Sequence, residues 1–465
     1  MTQRLSARLA GAAPAASMLL VSHLASAAPT GWTLESTIDG GTTSIGSSIA
    51  TTGAVAVVGA PFAGTGAKPP GAVYVYSSAA GAWTSTTLLA PTPIAGGNFG
   101  SSVAAAGSLV AIGAPGSPPA AYVFADTGGG YVAAHTWTDP PGDENQSFGG
   151  SVAVYQGATG TGYVAIAAPP GSSSPTGTVY VSTQTSGGAW SDPPTAITDA
   201  SAQAFGIAVA FAGNGQLLVG DPGTGPGQVL VYAAGAGGAW TSVGTLPVSL
   251  DGGSVQQFGN AIATGGNLAV VTAPGTSDGS GAASGVAFVF AYASGQWTQQ
   301  AVLAGTSAES FGNFGAAVEG NLLAVGSAID TASSGTGRVD VWGGSGTSWV
   351  SAPSSTLVGD AYYGQAVGLV GTTLFVGDTS ALGASSIADV TSSLRIYEAT
   401  GDDAGTAGSD AGGDDAGNTG SRPSKGGCSC ESAPAPAGGA GLALLVEAAL
   451  ALRFVRRRTS SNRPG

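Results

Sequence analysis

The feature that most constrains this chain is a motif that recurs seven times in a single phase. Its clearest copy begins Phe99-Gly100-Ser101-Ser102-Val103 and runs on to an apolar stretch, Leu109–Pro115, that ends in Gly113-Ala114-Pro115. Starts of this kind stand at Ile45-Gly46, Phe99-Gly100, Phe148-Gly149, Phe205-Gly206, Phe258-Gly259, Phe314-Gly315 and Tyr363-Gly364. Successive glycines lie 54, 49, 57, 53, 56 and 49 residues apart, room for several strands per unit. Each start leads into an apolar run without alternation, then into a run of β-branched and aromatic residues. The latter is Val73-Tyr74-Val75-Tyr76 in the first unit and Leu394-Arg395-Ile396-Tyr397 in the last. These short runs, bounded by Gly, Pro, Ser and Asn and lacking helical spacing, predict strands. The apolar run predicts an inner strand buried on both faces, whereas the third run mixes apolar and polar residues more evenly.

A fourth element, tryptophan followed in most copies by Thr or Ser, also occurs seven times, at Trp32, Trp83, Trp137, Trp190, Trp240, Trp297 and Trp349. The first copy precedes the first Ile-Gly start, and none follows Leu394–Tyr397. The chain therefore enters on an outer strand and leaves one strand short. These two gaps complement each other in a ring, and a ring protects sheet edges that an open array would leave bare. The expected fold is all-β: a seven-bladed β-propeller of four-stranded blades, closed by the N-terminal outer strand.

Composition supports this reading and narrows the partners. Apolar residues make up 43% of the chain and are patterned, which argues against disorder. The expected propeller, residues 28–398, holds 19 Asp and Glu against Lys68, Arg338 and Arg395. Such a surface repels phosphates, so no nucleic-acid partner is expected. The propeller also has no cysteine, and its stability must come from strand pairing and packing.

The ends differ from the middle. Residues 1–27 read as a signal peptide, with Arg4 and Arg8 before an apolar core around Met18-Leu19-Leu20-Val21 and a small-x-small site ending at Ala27. Export follows from it. Residues 399–427 form an acidic Gly/Ala/Asp-rich linker. Residues 428–458 hold Cys428-Ser429-Cys430, the apolar stretch Gly438–Leu452 and the cluster Arg456-Arg457-Arg458; residues 459–465 are a short polar end. The apolar stretch is shorter than the roughly twenty residues needed to span a bilayer and contains Glu447. It reads as a processing signal, with Cys428 and Cys430 as processing residues and membrane contact only before processing.

The aromatic-Gly starts, the Gly-Ala-Pro ends and their spacing over about residues 31–398 resemble the FG-GAP repeat, the blade unit of integrin α-subunit propellers and of many bacterial surface proteins. That resemblance implies a propeller that acts in adhesion or ligand binding through loops on one face. The C-terminal order of Cys motif, apolar stretch and Arg cluster resembles the myxobacterial sorting tail (MYXO-CTERM type), which implies cleavage near the cysteines and display at the cell surface. Integrin-type blades often carry calcium-binding Asp and Asn after the second strand. Here those loops hold Asp278, Asp330 and Asp389 singly, far from the six to eight oxygens calcium takes, so no metal or other cofactor is expected.

Catalytic candidates are few, and none forms a set. His135 is the one histidine of residues 28–398 and falls on an outer strand, away from any central pocket. Gly275-Thr276-Ser277-Asp278-Gly279 matches G-x-S-x-G without the strand-turn-helix a nucleophile elbow needs. Asp143-Glu144 sits in a turn. The expected role is a non-catalytic adhesion or ligand-binding module, monomeric, with extracellular polysaccharide or another surface protein as partner. The alternative is a structural envelope or matrix component without a discrete ligand. No ligand-binding residue is assigned; Phe62 and Tyr362 are the aromatic loop candidates.

Overall fold

The structure is a computed structural model. It describes residues 29, 31–79, 82–140, 147–171, 176–185, 187–199, 201–251, 253–277, 285–305, 315–328, 336–345, 348–360, 362–379 and 390–400. The fold is the expected seven-bladed propeller of antiparallel, four-stranded sheets. Six blades are continuous in sequence, spanning 48–88, 102–138, 151–198, 209–245, 262–304 and 316–358. The seventh takes its inner, second and third strands from Tyr363–Val370, Thr373–Thr379 and Ser392–Thr400. Its outer strand is Gly31–Asp39, paired antiparallel from Gly31 opposite Thr400 to Asp39 opposite Ser393. The ring is thus closed by the N-terminal strand.

The core is a set of layers between neighbouring blades, because each sheet buries both faces. Seven apolar clusters occur, one at each junction. The cluster that joins the last blade to the first packs Phe375, Leu394 and Ile396 against Ala56, Val58 and Tyr76. The second strands are buried almost throughout, as their unbroken apolar sequence predicts. The third strands, more mixed in sequence, are nearly as buried: all of Ala120–Phe124 and Val286–Ala291 lie inside.

The aromatic-Gly and Gly-Ala-Pro elements meet across these junctions. Phe99, Phe148, Phe205, Phe258 and Tyr363 are buried at the blade starts. The glycine after each of them packs on the second strand of the preceding blade. An ideal Cβ on Gly59, Gly113, Gly220, Gly326 or Gly377 would lie only 1.8–2.1 Å from the carbonyl oxygen of Gly100, Gly149, Gly259, Gly364 or Gly46 respectively. The repeated glycines are therefore one close approach, seen from its two sides. Ser48 and Ser102 donate hydrogen bonds to two of these carbonyls, Gly100 and Gly149, at 2.9 and 2.8 Å.

The tryptophans depart from the expectation in places. Trp137 is fully buried and donates to the Ser191 carbonyl of the next blade, and Trp297 donates to Gln216 of the preceding one. Trp190 and Trp349 do not sit on the main outer strands, which are Thr195–Thr198 and Ser355–Val358; both precede them on a chain that bulges away. Trp32 is only half-buried, with its indole N–H donating to Ser355 Oγ at 3.0 Å. The closing strand carries no fully buried side chain and is held chiefly by its ladder.

Candidate functional site: the loop face

Antiparallel connectivity sorts the connections between two faces. Every inner strand begins, and every second strand ends, on the face that carries the aromatic-Gly starts. The linkers between blades and the loops between second and third strands all emerge there. On the opposite face, the inner and second strands of five blades are joined by two-residue turns that use Gly53, Gly107, Gly266, Gly320 and Gly371 at φ of 55–57°. Gly supplies this left-handed conformation without steric cost.

At the junction of the first two blades the loop face carries two concavities of about 230 Å³ each. Phe62, Lys68, Asn98 and Ser117 line one, and Ile94, Pro118, Tyr122 and Thr136 line the other. Ser117 and Pro118 are consecutive, so the two concavities lie side by side along one loop. Their walls are the loop after Ala60, the linker that leads to Phe99 and the loop after Ala114. Backbone bonds fix these walls: Gly96 N–H to Lys68 O, Phe99 N–H to Pro70 O, and Gly116 N–H to Gly97 O, each 2.9–3.0 Å. The Lys68 stem lies against Gly96, and its ammonium is exposed.

A second polar cluster stands between the sixth and seventh blades. The third-strand residue opposite Ile112, Ile166 and Val271 is Tyr122, Tyr180 and Phe288. These rings stand edge-on to Phe99, Phe148 and Phe258 at 5.2–5.5 Å. In the seventh blade the same position, opposite Val376, is Arg395, whose guanidinium sits over the Tyr363 ring at 5.1 Å. A cation–π contact thus replaces an aromatic pair. Arg395 also donates to Asp360 and Asp378 at 2.8 and 3.0 Å, and the Tyr363 hydroxyl donates to Tyr397 at 3.0 Å. In the sixth blade the equivalent residue is the buried Asp340, held by Arg338 and Thr356. Burial holds the Asp340 carboxyl above its ordinary range, against the hydrogen bond from Thr356 and the pull of Arg338.

Burial pushes the Asp378 carboxyl up to about 6; Arg395 opposes this and the Asp360 carboxylate adds to it. A carboxyl whose folded value exceeds its unfolded value of about 3.9 favours the folded state at low pH. That contribution is complete below the unfolded value and is lost as pH rises through about 6. Unfolding is therefore expected to move to higher temperature as pH falls from about 7.5 to about 5, with on the order of 1 kcal/mol of stability from this group, the rest following as pH falls further toward about 3.9. Asp378→Asn should flatten the profile in that window; a profile identical to that of the unsubstituted chain would contradict the assignment.

The residues singled out in the sequence fall as follows. Phe62 lines the Lys68 concavity, half-buried. Tyr362 is half-buried at φ 75°, its N–H donating to Ala328 O, and it lines neither concavity. His135 lies on an outer strand, against Trp137 and 3.3 Å from Asp192 of the next blade, so it bridges two blades at the rim. Thr276 ties its loop to the Gln256 backbone, a structural role within the G-x-S-x-G match. Asp143, Glu144, Asp278, Asp330 and Asp389 lie outside the described residues, as do Ala27, Cys428 and Cys430. Among the described residues no three His, Cys, Asp or Glu side chains are grouped to hold a metal, and no helix is long and apolar enough to cross a membrane. The only sequence signal of the Arg395 cluster is a charged residue, Asp340 or Arg395, at a position that is aromatic in four other blades.

No protein-family model matches the chain, and no curated protein is similar to it in sequence. Some solved structures are distantly similar to it. A candidate 6-phosphogluconolactonase from Bacteroides uniformis is 13% identical, with a TM-score of 0.44 over 66% of this chain and 84% of that one. A chain of a mitotic checkpoint complex is 11% identical, with a TM-score of 0.45 over 86% and 99%. Sqt1 of Saccharomyces cerevisiae is 10% identical, with a TM-score of 0.40 over 74% and 82%. At these identities the likeness is one of fold alone.

Proposed function

We propose that this chain is an exported, surface-displayed propeller of the FG-GAP type that acts as a non-catalytic adhesion or ligand-binding module through its loop face. The observation that carries the reading is the loop face itself, where the linkers between blades and the second-to-third connections gather around concavities between two blades, while five inner turns opposite are two residues long. Rigid scaffolds that present variable loops on one side are suited to recognition. The glycine seam gives the aromatic-Gly and Gly-Ala-Pro resemblance a physical basis, and the N-terminal and C-terminal segments supply export, with cleavage after Ala27, and display through the Cys428–Cys430 motif.

The test is binding of the purified protein to the producer's own cells and extracellular polysaccharide, with calcium and with chelator. Saturable binding that survives chelation is the expected result. No binding from a folded sample would move the assignment to a structural matrix component, and loss in chelator would show that the Asp278, Asp330 or Asp389 loops hold calcium.

A further inference from the structure

We propose that the Lys68 concavity between the first and second blades binds a sugar residue bearing a carboxylate, with Lys68 pairing the carboxylate and Phe62 stacking on the ring; this rests on the ligand-binding reading of the loop face. The first observation is electrostatic. Of the three cations in residues 28–398, Arg338 is neutralised by Asp340 and Arg395 by Asp360 and Asp378. Lys68 has no carboxylate partner among the described residues, and no Asp or Glu lines either concavity. Lys68 is thus the one lysine or arginine among the described residues that no carboxylate neutralises.

The second observation is the chemistry of the lining. A sugar offers an apolar C–H face and a rim of hydroxyls. Phe62 supplies a half-buried aromatic surface next to Lys68, and the side chains of Asn98 and Ser117 border the same concavity. Pro118, Ile94 and Tyr122 line the second concavity, where Thr136 adds a hydroxyl. The Lys68 concavity, about 230 Å³, is of a size for one sugar residue, and the second, of equal volume, lies beside it. The walls are already tied by backbone hydrogen bonds, so little ordering is needed on binding.

The same observations select against other ligands. The N–H groups of Gly71, Gly96, Phe99 and Gly116 are all bonded within the walls, which leaves few main-chain partners for a peptide. A densely charged polyanion would be repelled by the surrounding acidic surface. That repulsion is screened beyond about 8 Å in physiological salt, so an isolated carboxylate meets Lys68 with little penalty.

The experiment is titration calorimetry of the purified full chain with a glucuronate-containing oligosaccharide, and with the same oligosaccharide after reduction of its carboxyl to an alcohol. The carboxylated form is expected to bind saturably and the reduced form roughly three- to tenfold more weakly. Lys68→Gln should erase that difference without changing the melting temperature, and Phe62→Ala should weaken both forms. Equal affinity for the two forms, no effect of Lys68→Gln, or tighter binding of an acidic peptide of equal charge would each overturn the proposal. If the protein binds cells but not the oligosaccharide, the proposal fails and the adhesion reading stands; if it binds neither, both fail.

Discussion

Deleting Gly31–Asp39 is expected to lower the stability of the propeller by on the order of 5 kcal/mol, which for a fold of this size is a fall of roughly 6 °C in melting temperature. The strand contributes eight register pairs to the seventh blade, interrupted by a bulge between Leu34 and Ser36. Each ladder hydrogen bond is worth about 1 kcal/mol net. Trp32, half-buried against the sixth blade, adds about 2 kcal/mol rather than the full value of an enclosed indole. The deletion also bares the edge of Ser392–Thr400, whose Leu394, Ile396 and Tyr397 are buried in the last two junctions. An uncovered edge of that composition should promote self-association. Calorimetry with light scattering checks both effects, and an unchanged melting temperature would contradict the closure.

The second large effect lies at the glycine seam. Gly113→Ala places a Cβ 1.9 Å from the Gly149 carbonyl oxygen and 2.2 Å from Ser102 Oγ, which itself donates to that carbonyl. Ser102 opens an inner strand and Gly149 lies in the turn before the next blade's inner strand, and the closer obstacle is backbone, so the second and third blades must part. The expected cost is about 3 kcal/mol or more, roughly 4 °C in melting temperature. Gly129→Ala is the control: nothing lies within 4 Å of its ideal Cβ and its backbone is not left-handed. It should change stability by less than about 0.5 kcal/mol. Equal effects would mean the seam is slack. Glycine is not universal at this position: Ala167 stands there in the third blade and Thr272 in the fifth.

The fold was legible because its signals are local and repeated. An aromatic-Gly start, an unbroken apolar strand and a tryptophan in fixed order mark each blade, and the offset of Trp32 from the last third strand marks closure. The corrections come where tertiary context overrides the repeat. Trp190 and Trp349 precede rather than occupy their outer strands, and Trp32 lies at a rim where only one neighbour covers it. The concavities could not be read from the chain, because Phe62, Lys68, Asn98 and Ser117 come from three connections, and Tyr122 from a strand, that meet only when two blades pack. Phe62 was singled out as an aromatic in a loop; Lys68 was counted only as a charge. The Arg395 cluster is hidden for a different reason, since it places a cation at a position that is aromatic in four other blades, Leu230 in the fourth and Asp340 in the sixth.

The central claim is that one N-terminal strand completes the last blade of a closed ring. Thr33→Cys with Glu398→Cys, in a chain whose Cys428 and Cys430 are replaced by serine, tests it most directly, because Thr33 and Glu398 face each other in the ladder. Directly opposed residues in antiparallel strands lie about 4.5–5.5 Å apart at Cα, within disulfide reach. The account predicts an intramolecular disulfide in a monomer under mild oxidation, with a melting temperature above that of the reduced form. Free thiols under the same conditions, or disulfides found only between molecules, would show that the strand does not close its own ring.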